Sequence, residues 1–137
     1  MEVIRVFISS VQKEFARERR LLCDYIRTDA LLSRFFVPFI FEDMPASEVS
    51  SQNAYLTQAA ECHIYLGIFG TQYGYEDTEG VSPTEHKFDT ATANHAHRLI
   101  YILRTNEQRH PKEQAFINKV QQDVIRRSFT TYEELRT

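Results

Sequence analysis

Glycine is scarce in this 137-residue chain: there are four, Gly67, Gly70, Gly74 and Gly80, and all fall between positions 67 and 80. Tryptophan is absent, and cysteine and methionine occur twice each. Cys23 and Cys62 stand apart, with no CxxC pair and no companion ligands, so a disulfide framework and a zinc site are not indicated and a reducing compartment fits best. No apolar run approaches the roughly 20 residues of a membrane span, and mean hydropathy is −0.42. The chain opens Met1-Glu2-Val3-Ile4-Arg5 and enters a strand pattern without a signal-peptide layout. The expectation is a soluble, cytoplasmic protein with no membrane partner. A strongly basic balance is missing too. The net charge of −3 argues against a dedicated nucleic-acid-binding module, so this domain is not expected to bind nucleic acid directly.

What is present is enough apolar material, 42% of residues, for one domain with its own core. Charge is uneven. Residues 42–89 carry nine acidic side chains against the single base Lys87, whereas residues 1–41 and 90–137 are each slightly basic. The glycine cluster lies in the acidic segment. The plain reading is solvated acidic surface; the sharper one is a face that repels polyanions and meets a cation, a sugar hydroxyl or a basic partner.

Hydrophobic patterning alternates strand and helix. Val3 to Ile8 reads as a buried strand. Ser10 reads as the N-cap of a helix carrying Val11, Phe15, Leu22 and Ile26 on one side and ending near Thr28-Asp29. Phe36 to Phe41 forms a second strand, placed at a sheet edge by Pro38. Pro45 to Gln52 is polar and irregular, and Asn53 to Glu61 is helical. Cys62 to Phe69 suits a central parallel strand. A loop from Gly70 to Val81 follows. Ser82-Pro83-Thr84-Glu85 then starts a helix with a capping serine, proline at N1 and glutamate at N3, and Phe88, Ala91 and His95 share one face of it. Arg98 to Leu103, a helix after His110-Pro111, a short strand over Ile125 to Phe129 and a helix from Thr131 complete the pattern.

Five strands joined by helices predict an α/β, flavodoxin-like three-layer sandwich with a parallel sheet of order 2-1-3-4-5. The domain spans 1–130, and 131–137 begins a further helix that reads as truncated. In that topology ligands sit beyond the carboxyl ends of strands 1 and 3. The candidate cleft therefore gathers Ser9, Ser10, Gly70, Tyr73, Gly74, Tyr75, Ser82 and Glu85.

The glycine spacing matches neither a dinucleotide fingerprint nor a P-loop. It serves either loop geometry or contact with a ligand or partner. Glu85 has a structural role in the capping box, and a catalytic role for Glu85 or for Asp89, one turn further on, stays open. His86, His95 and His97 do not converge on one side of a helix, and no metal is expected. The two cysteines read as core residues. Arg126-Arg127 reads as solvated surface, with an interdomain ion pair as the alternative.

The run Val6-Phe7-Ile8-Ser9-Ser10-Val11-Gln12-Lys13-Glu14-Phe15, followed by Glu18-Arg19-Arg20, resembles the opening of a TIR-like domain family of unknown function. Further matches are Phe41-Glu42-Asp43, Pro45-Ala46-Ser47, Ile64 to Gly70 with Tyr73-Gly74, and Ser82 to Glu85. Phe88 to Thr92, His110-Pro111-Lys112 and Ile125-Arg126-Arg127 extend the resemblance over essentially the whole chain. The resemblance implies a TIR-like fold. It also implies a place at the N-terminus of larger prokaryotic proteins with Schlafen-like ATPase, RecG-like helicase-related or NACHT-type NTPase regions, and continuation past Thr137 into downstream domains. Some TIR domains cleave NAD with a glutamate on the helix after strand 3. The matching position here is Lys87, which cannot supply a carboxylate to an oxocarbenium-like transition state. The resulting expectation is a non-catalytic signalling, sensing or protein-interaction module without a cofactor, partnered by downstream domains and by self-association. The alternative is a nucleotide-binding or NAD-cleaving enzyme that uses the same cleft.

Overall fold

Apolar runs too short for helices become the strands of one parallel sheet in the computed structural model, which describes residues 3–11, 14–40, 51–74, 80–122 and 126–136. The strands are β1 (Ile4–Ser9), β2 (Phe36–Phe39), β3 (Ile64–Phe69), β4 (His97–Leu103) and β5 (Arg126–Phe129). They pair in the order β2-β1-β3-β4-β5. The helices are α1 (Ala16–Thr28), α2 (Leu32–Phe35), α3 (Ser51–Glu61), α4 (Pro83–Ala93), α5 (Pro111–Gln121) and α6 (Tyr132–Arg136). This is the expected α/β three-layer, flavodoxin-like arrangement.

Side chains alternate across the sheet, so each strand feeds two cores. Phe7, Tyr65 and Phe69 point to the side covered by α3, α4 and α5, where they join Ala59, Phe88, Ala91, Phe116 and Val120. Val6, Ile8 and Ile68 point the other way, to Phe15, Leu22 and Cys23 near α1 and Leu135 of α6. The first core is aromatic. Its rings meet tilted or edge-on, with Phe69 and Phe116 centroids 4.8 Å apart and Tyr65 and Phe88 5.8 Å apart, the arrangement that ring quadrupoles favour.

Gly67 makes this packing fit. A Cβ at that position would lie 2.8 Å from Phe69 Cζ and 2.9 Å from Tyr65 Cε1. The two rings therefore occupy the space that a side chain would take. Gly74 and Gly80 answer a different need, with φ of +88° and +77° in the loop after β3.

Several elements differ from the sequence reading. Helix α1 begins at Ala16, not after Ser10, and Phe15 in the cap position makes no side-chain capping bond. The Ser10 hydroxyl instead accepts from the buried guanidinium of Arg19, whose Nη1 also donates to the Val11 carbonyl at 3.0 Å. A cation that must be satisfied inside the core has claimed the expected helix cap. The short α2 was not foreseen. It is nucleated by Asp29, whose Oδ1 accepts from the N–H groups of Leu31 and Leu32 at 2.9 Å. His95 does not share the face of Phe88 and Ala91: α4 stops at Ala93, and His95 is exposed with φ of 63°. Strand β2 ends at Phe39 and α3 starts at Ser51; the expectations for 41–50 lie outside the described residues.

Candidate functional site

The strand order reverses between β1 and β3, and the turn that leaves β3 at this point directs backbone N–H groups at the Glu14 carboxylate. Glu14 Oε2 accepts from the Thr71 N–H at 2.7 Å and from the Thr71 hydroxyl at 2.9 Å, and its Oε1 accepts from the Gln72 N–H at 3.2 Å. Gly70 permits this approach, because a Cβ there would overlap the Glu14 carboxylate. A second acid, Glu113, lies in the first turn of α5. Two successive N–H groups and a hydroxyl thus converge on one carboxylate brought from the other end of the chain.

Glu113 is 2% exposed, and its Oε2 has no hydrogen-bond partner. Burial, reinforced by the charge of Glu14, pushes its pKa up to about 8, against the opposing pull of Arg109 and the Gly70 N–H. Glu113 is therefore mostly protonated at neutral pH. Arg109 braces the same turn, with Nη1 on the Gly70 carbonyl at 2.7 Å and Nη2 on the Leu103 carbonyl at 2.6 Å. The His110 N–H donates to the Thr71 carbonyl at 2.8 Å, so the start of α5 abuts the turn.

Ser9 and Ser10, adjacent in sequence, have separate roles. Ser10 belongs to the α1 side and is held by Arg19. Ser9 faces the aromatic side, paired in register with Gly67. Its hydroxyl lies beside that of Tyr65, which reaches up past Gly67, yet neither oxygen has a hydrogen-bond partner among the described residues. Burial raises the Tyr65 phenol far above its ordinary pKa, with the Ser9 hydroxyl working the other way and Glu113 adding to the rise. Ser9 Oγ, Tyr65 Oη and Glu113 Oε2 are the buried side-chain atoms without a partner among the described residues.

The capping box at α4 is relayed through a third residue. Ser82 Oγ accepts from the Glu85 N–H at 3.2 Å as expected, but the Glu85 side chain does not return to the Ser82 N–H. That N–H donates to the Tyr73 hydroxyl at 3.2 Å, and the Tyr73 hydroxyl donates to Glu85 Oε1 at 2.6 Å. Burial and the bond to Glu85 both raise the Tyr73 pKa. Lys119 of α5 then bridges Glu85 Oε2 at 3.0 Å and Asp89 Oδ1 at 2.7 Å. Burial works against its ammonium, but the two acids outweigh that and hold its pKa above the ordinary value. Asp89 faces outward, 47% exposed, while Lys87 is buried on the sheet side of α4 with Nζ 5.7 Å from the centroid of Phe7.

Of the residues expected in the cleft, Ser9, Gly70, Tyr73, Ser82 and Glu85 lie around this end of the sheet, and Gly74 is exposed just beyond. Tyr75 lies outside the described residues. Cys62 is a poor nucleophile, since burial pushes its thiol up to about 11. Among the described residues no three His, Cys, Asp or Glu side chains converge as a metal site, and no helix is long and apolar enough to cross a membrane. Sequence reasoning missed Glu14, Arg109 and Glu113. Only Glu113 left a usable trace, an acidic residue at N3 of a helix opened by His110-Pro111.

Residues 5–137 match the family model described as Domain of unknown function (DUF4062). The chain belongs to that family. No curated protein matches it. In this DUF4062 domain the region of interest is therefore defined by its own chemistry: an amide-lined turn filled by Glu14, above three buried polar atoms that lack partners.

Proposed function

We propose that this domain is a TIR-like signalling or protein-interaction module of a larger multidomain cytoplasmic protein, and that it is not itself catalytic. The observation that carries this reading is the commitment of the acids around the cleft. Glu14 is held by Thr71 and Gln72, Glu85 by Tyr73 and Lys119, and Asp89 by Lys119. The α4 position facing the sheet, where an NAD-cleaving enzyme would need its carboxylate, carries Lys87.

The contact face on this reading is the β2 edge. Four of the five exposed large apolar side chains among the described residues, Val3, Leu31, Phe35 and Val37, lie along it. Leu31 and Phe35 are one helical turn apart, and the pairing of Ile4 with Phe36 sets Val3 beside Phe35. The occupant is a second copy of the chain, since an edge patch of this kind can meet its own two-fold mate. Pro38 removes one backbone donor from the edge, so the contact rests on side chains more than on strand addition. Sedimentation of the chain at rising concentration tests this reading. A dimer that Val37→Lys abolishes supports it. A chain that stays monomeric, or that releases nicotinamide from NAD, contradicts it.

A further inference from the structure

We propose that the turn Gly70–Gln72 is a phosphate-binding site which the protein's own Glu14 fills in this structure, and that a phosphate monoester binds there by displacing Glu14. The donor set is what an oxyanion requires. The Thr71 N–H, the Thr71 hydroxyl and the Gln72 N–H converge on one carboxylate, and the Gly70 N–H stands next in line. Consecutive N–H groups in a turn form an anion-binding concavity, and the Glu14 oxygens occupy the places of two phosphate oxygens. The eleven-residue helix α5 starts against the same turn through the His110 N–H and adds its positive end. The Arg109 guanidinium is bound to the Gly70 carbonyl.

A second observation is independent of the turn. Glu113, Ser9 and Tyr65 are each at least nine-tenths buried, and each holds a side-chain oxygen without a partner. They lie by the turn: Glu113 is in the first turn of α5, whose start meets the Thr71 carbonyl through the His110 N–H, and Ser9 pairs in register with Gly67 at the end of the strand that leads into the turn. Native interiors leave few polar groups unpaired, and each that remains calls for an explanation such as strain, a catalytic role or a bound water, ion or ligand. A hydroxyl next to the phosphate of the ligand would supply that missing partner. Glu113 carries a proton at neutral pH, so it does not repel the incoming anion. Displacing Glu14 needs only a side-chain rotation, because its backbone is held by the Val11 carbonyl and by the buried Phe15 beside it.

The test uses the ¹⁵N-labelled 137-residue chain, wild type and Glu14→Ala, titrated with inorganic phosphate and with glycerol 3-phosphate while the amide signals of Gly70, Thr71 and Gln72 are followed. Both ligands should give saturable shifts at these amides in Glu14→Ala. Wild type should bind about ten-fold or more weakly, because the tethered Glu14 competes at an effective concentration of roughly millimolar or above. Glycerol 3-phosphate should bind more tightly than inorganic phosphate, and adding Ser9→Ala should remove that difference. Should Glu14→Ala fail to fold, Glu14→Gln keeps the shape, drops the charge and carries the same expectations. A folded Glu14 variant with no saturable shift at the three amides overturns the proposal. So does an adventitious ion only, seen as shifts scattered over surface lysines and arginines, or equal affinity with and without Glu14. Equal affinity for the two ligands overturns the part given to Ser9, Tyr65 and Glu113.

Discussion

The two faces of the sheet handle buried polarity in opposite ways. Under α1 a full guanidinium, Arg19, is 2% exposed and satisfied by the Ser10 hydroxyl and the Val11 carbonyl. Under α4 and α5 lie the buried Lys87, over the Phe7 ring, and three side-chain oxygens, on Ser9, Tyr65 and Glu113, that have no partner among the described residues. An unpaired buried polar group costs about 1–3 kcal/mol. On the proposal above, the paired charge on the α1 side is architecture and the unpaired groups on the α5 side await a ligand.

Substitutions can break or sharpen this contrast. The largest effect is expected for Arg19→Ala, which strips the partners of Ser10 and Val11 and opens a cavity; urea unfolding should show a loss of about 3 kcal/mol. Glu113→Gln acts in the other direction and depends on pH. The folded-state pKa of Glu113 is raised from 4.5 to about 8, so the folded state holds a proton that the unfolded chain releases. Its contribution to stability is full below the unfolded value, falls as pH rises and is lost by the folded value. The Gln variant should therefore gain on wild type between pH 5 and about 8, by on the order of 2 kcal/mol in melting or urea curves. An unchanged difference across that range would mean that Glu113 is not held protonated. Tyr73→Phe breaks the relay between the Ser82 N–H and Glu85 and should cost about 1 kcal/mol by the same assay. If that substitution is silent, the α4 cap does not depend on Tyr73.

The architecture was legible in the sequence because period-two and period-3.6 patterns, the Ser82-Pro83 helix start and the edge-marking Pro38 are local signals. The glycine cluster correctly marked the mouth of the sheet, since each glycine answers a local demand: Gly67 for ring packing, Gly70 for the close approach of Glu14, Gly74 and Gly80 for positive φ. The identity of the groups meeting there was not legible. Glu14 and Thr71 lie 57 residues apart, and Arg109 reaches the Gly70 carbonyl across 39. No spacing rule joins such residues; only the topology brings them together. Ser10 was misread for a related reason. A serine before an amphipathic run is a good helix cap locally, and it was diverted by a buried arginine nine residues on.

The smallest expected effect, that of Ser9→Ala, is also the most telling when set beside Ser10→Ala. Ser9 and Ser10 are neighbours in sequence with the same side chain, both buried, facing opposite sides of the sheet. Ser10→Ala removes a bond to a charged partner and should lower the unfolding free energy by about 1.5–3 kcal/mol. Ser9→Ala removes an unpaired hydroxyl and should leave stability unchanged or raise it by up to about 1 kcal/mol. Urea unfolding of the two variants beside wild type measures both. A loss in Ser9→Ala as large as that in Ser10→Ala would contradict the assignment of the aromatic face as a site waiting for a partner.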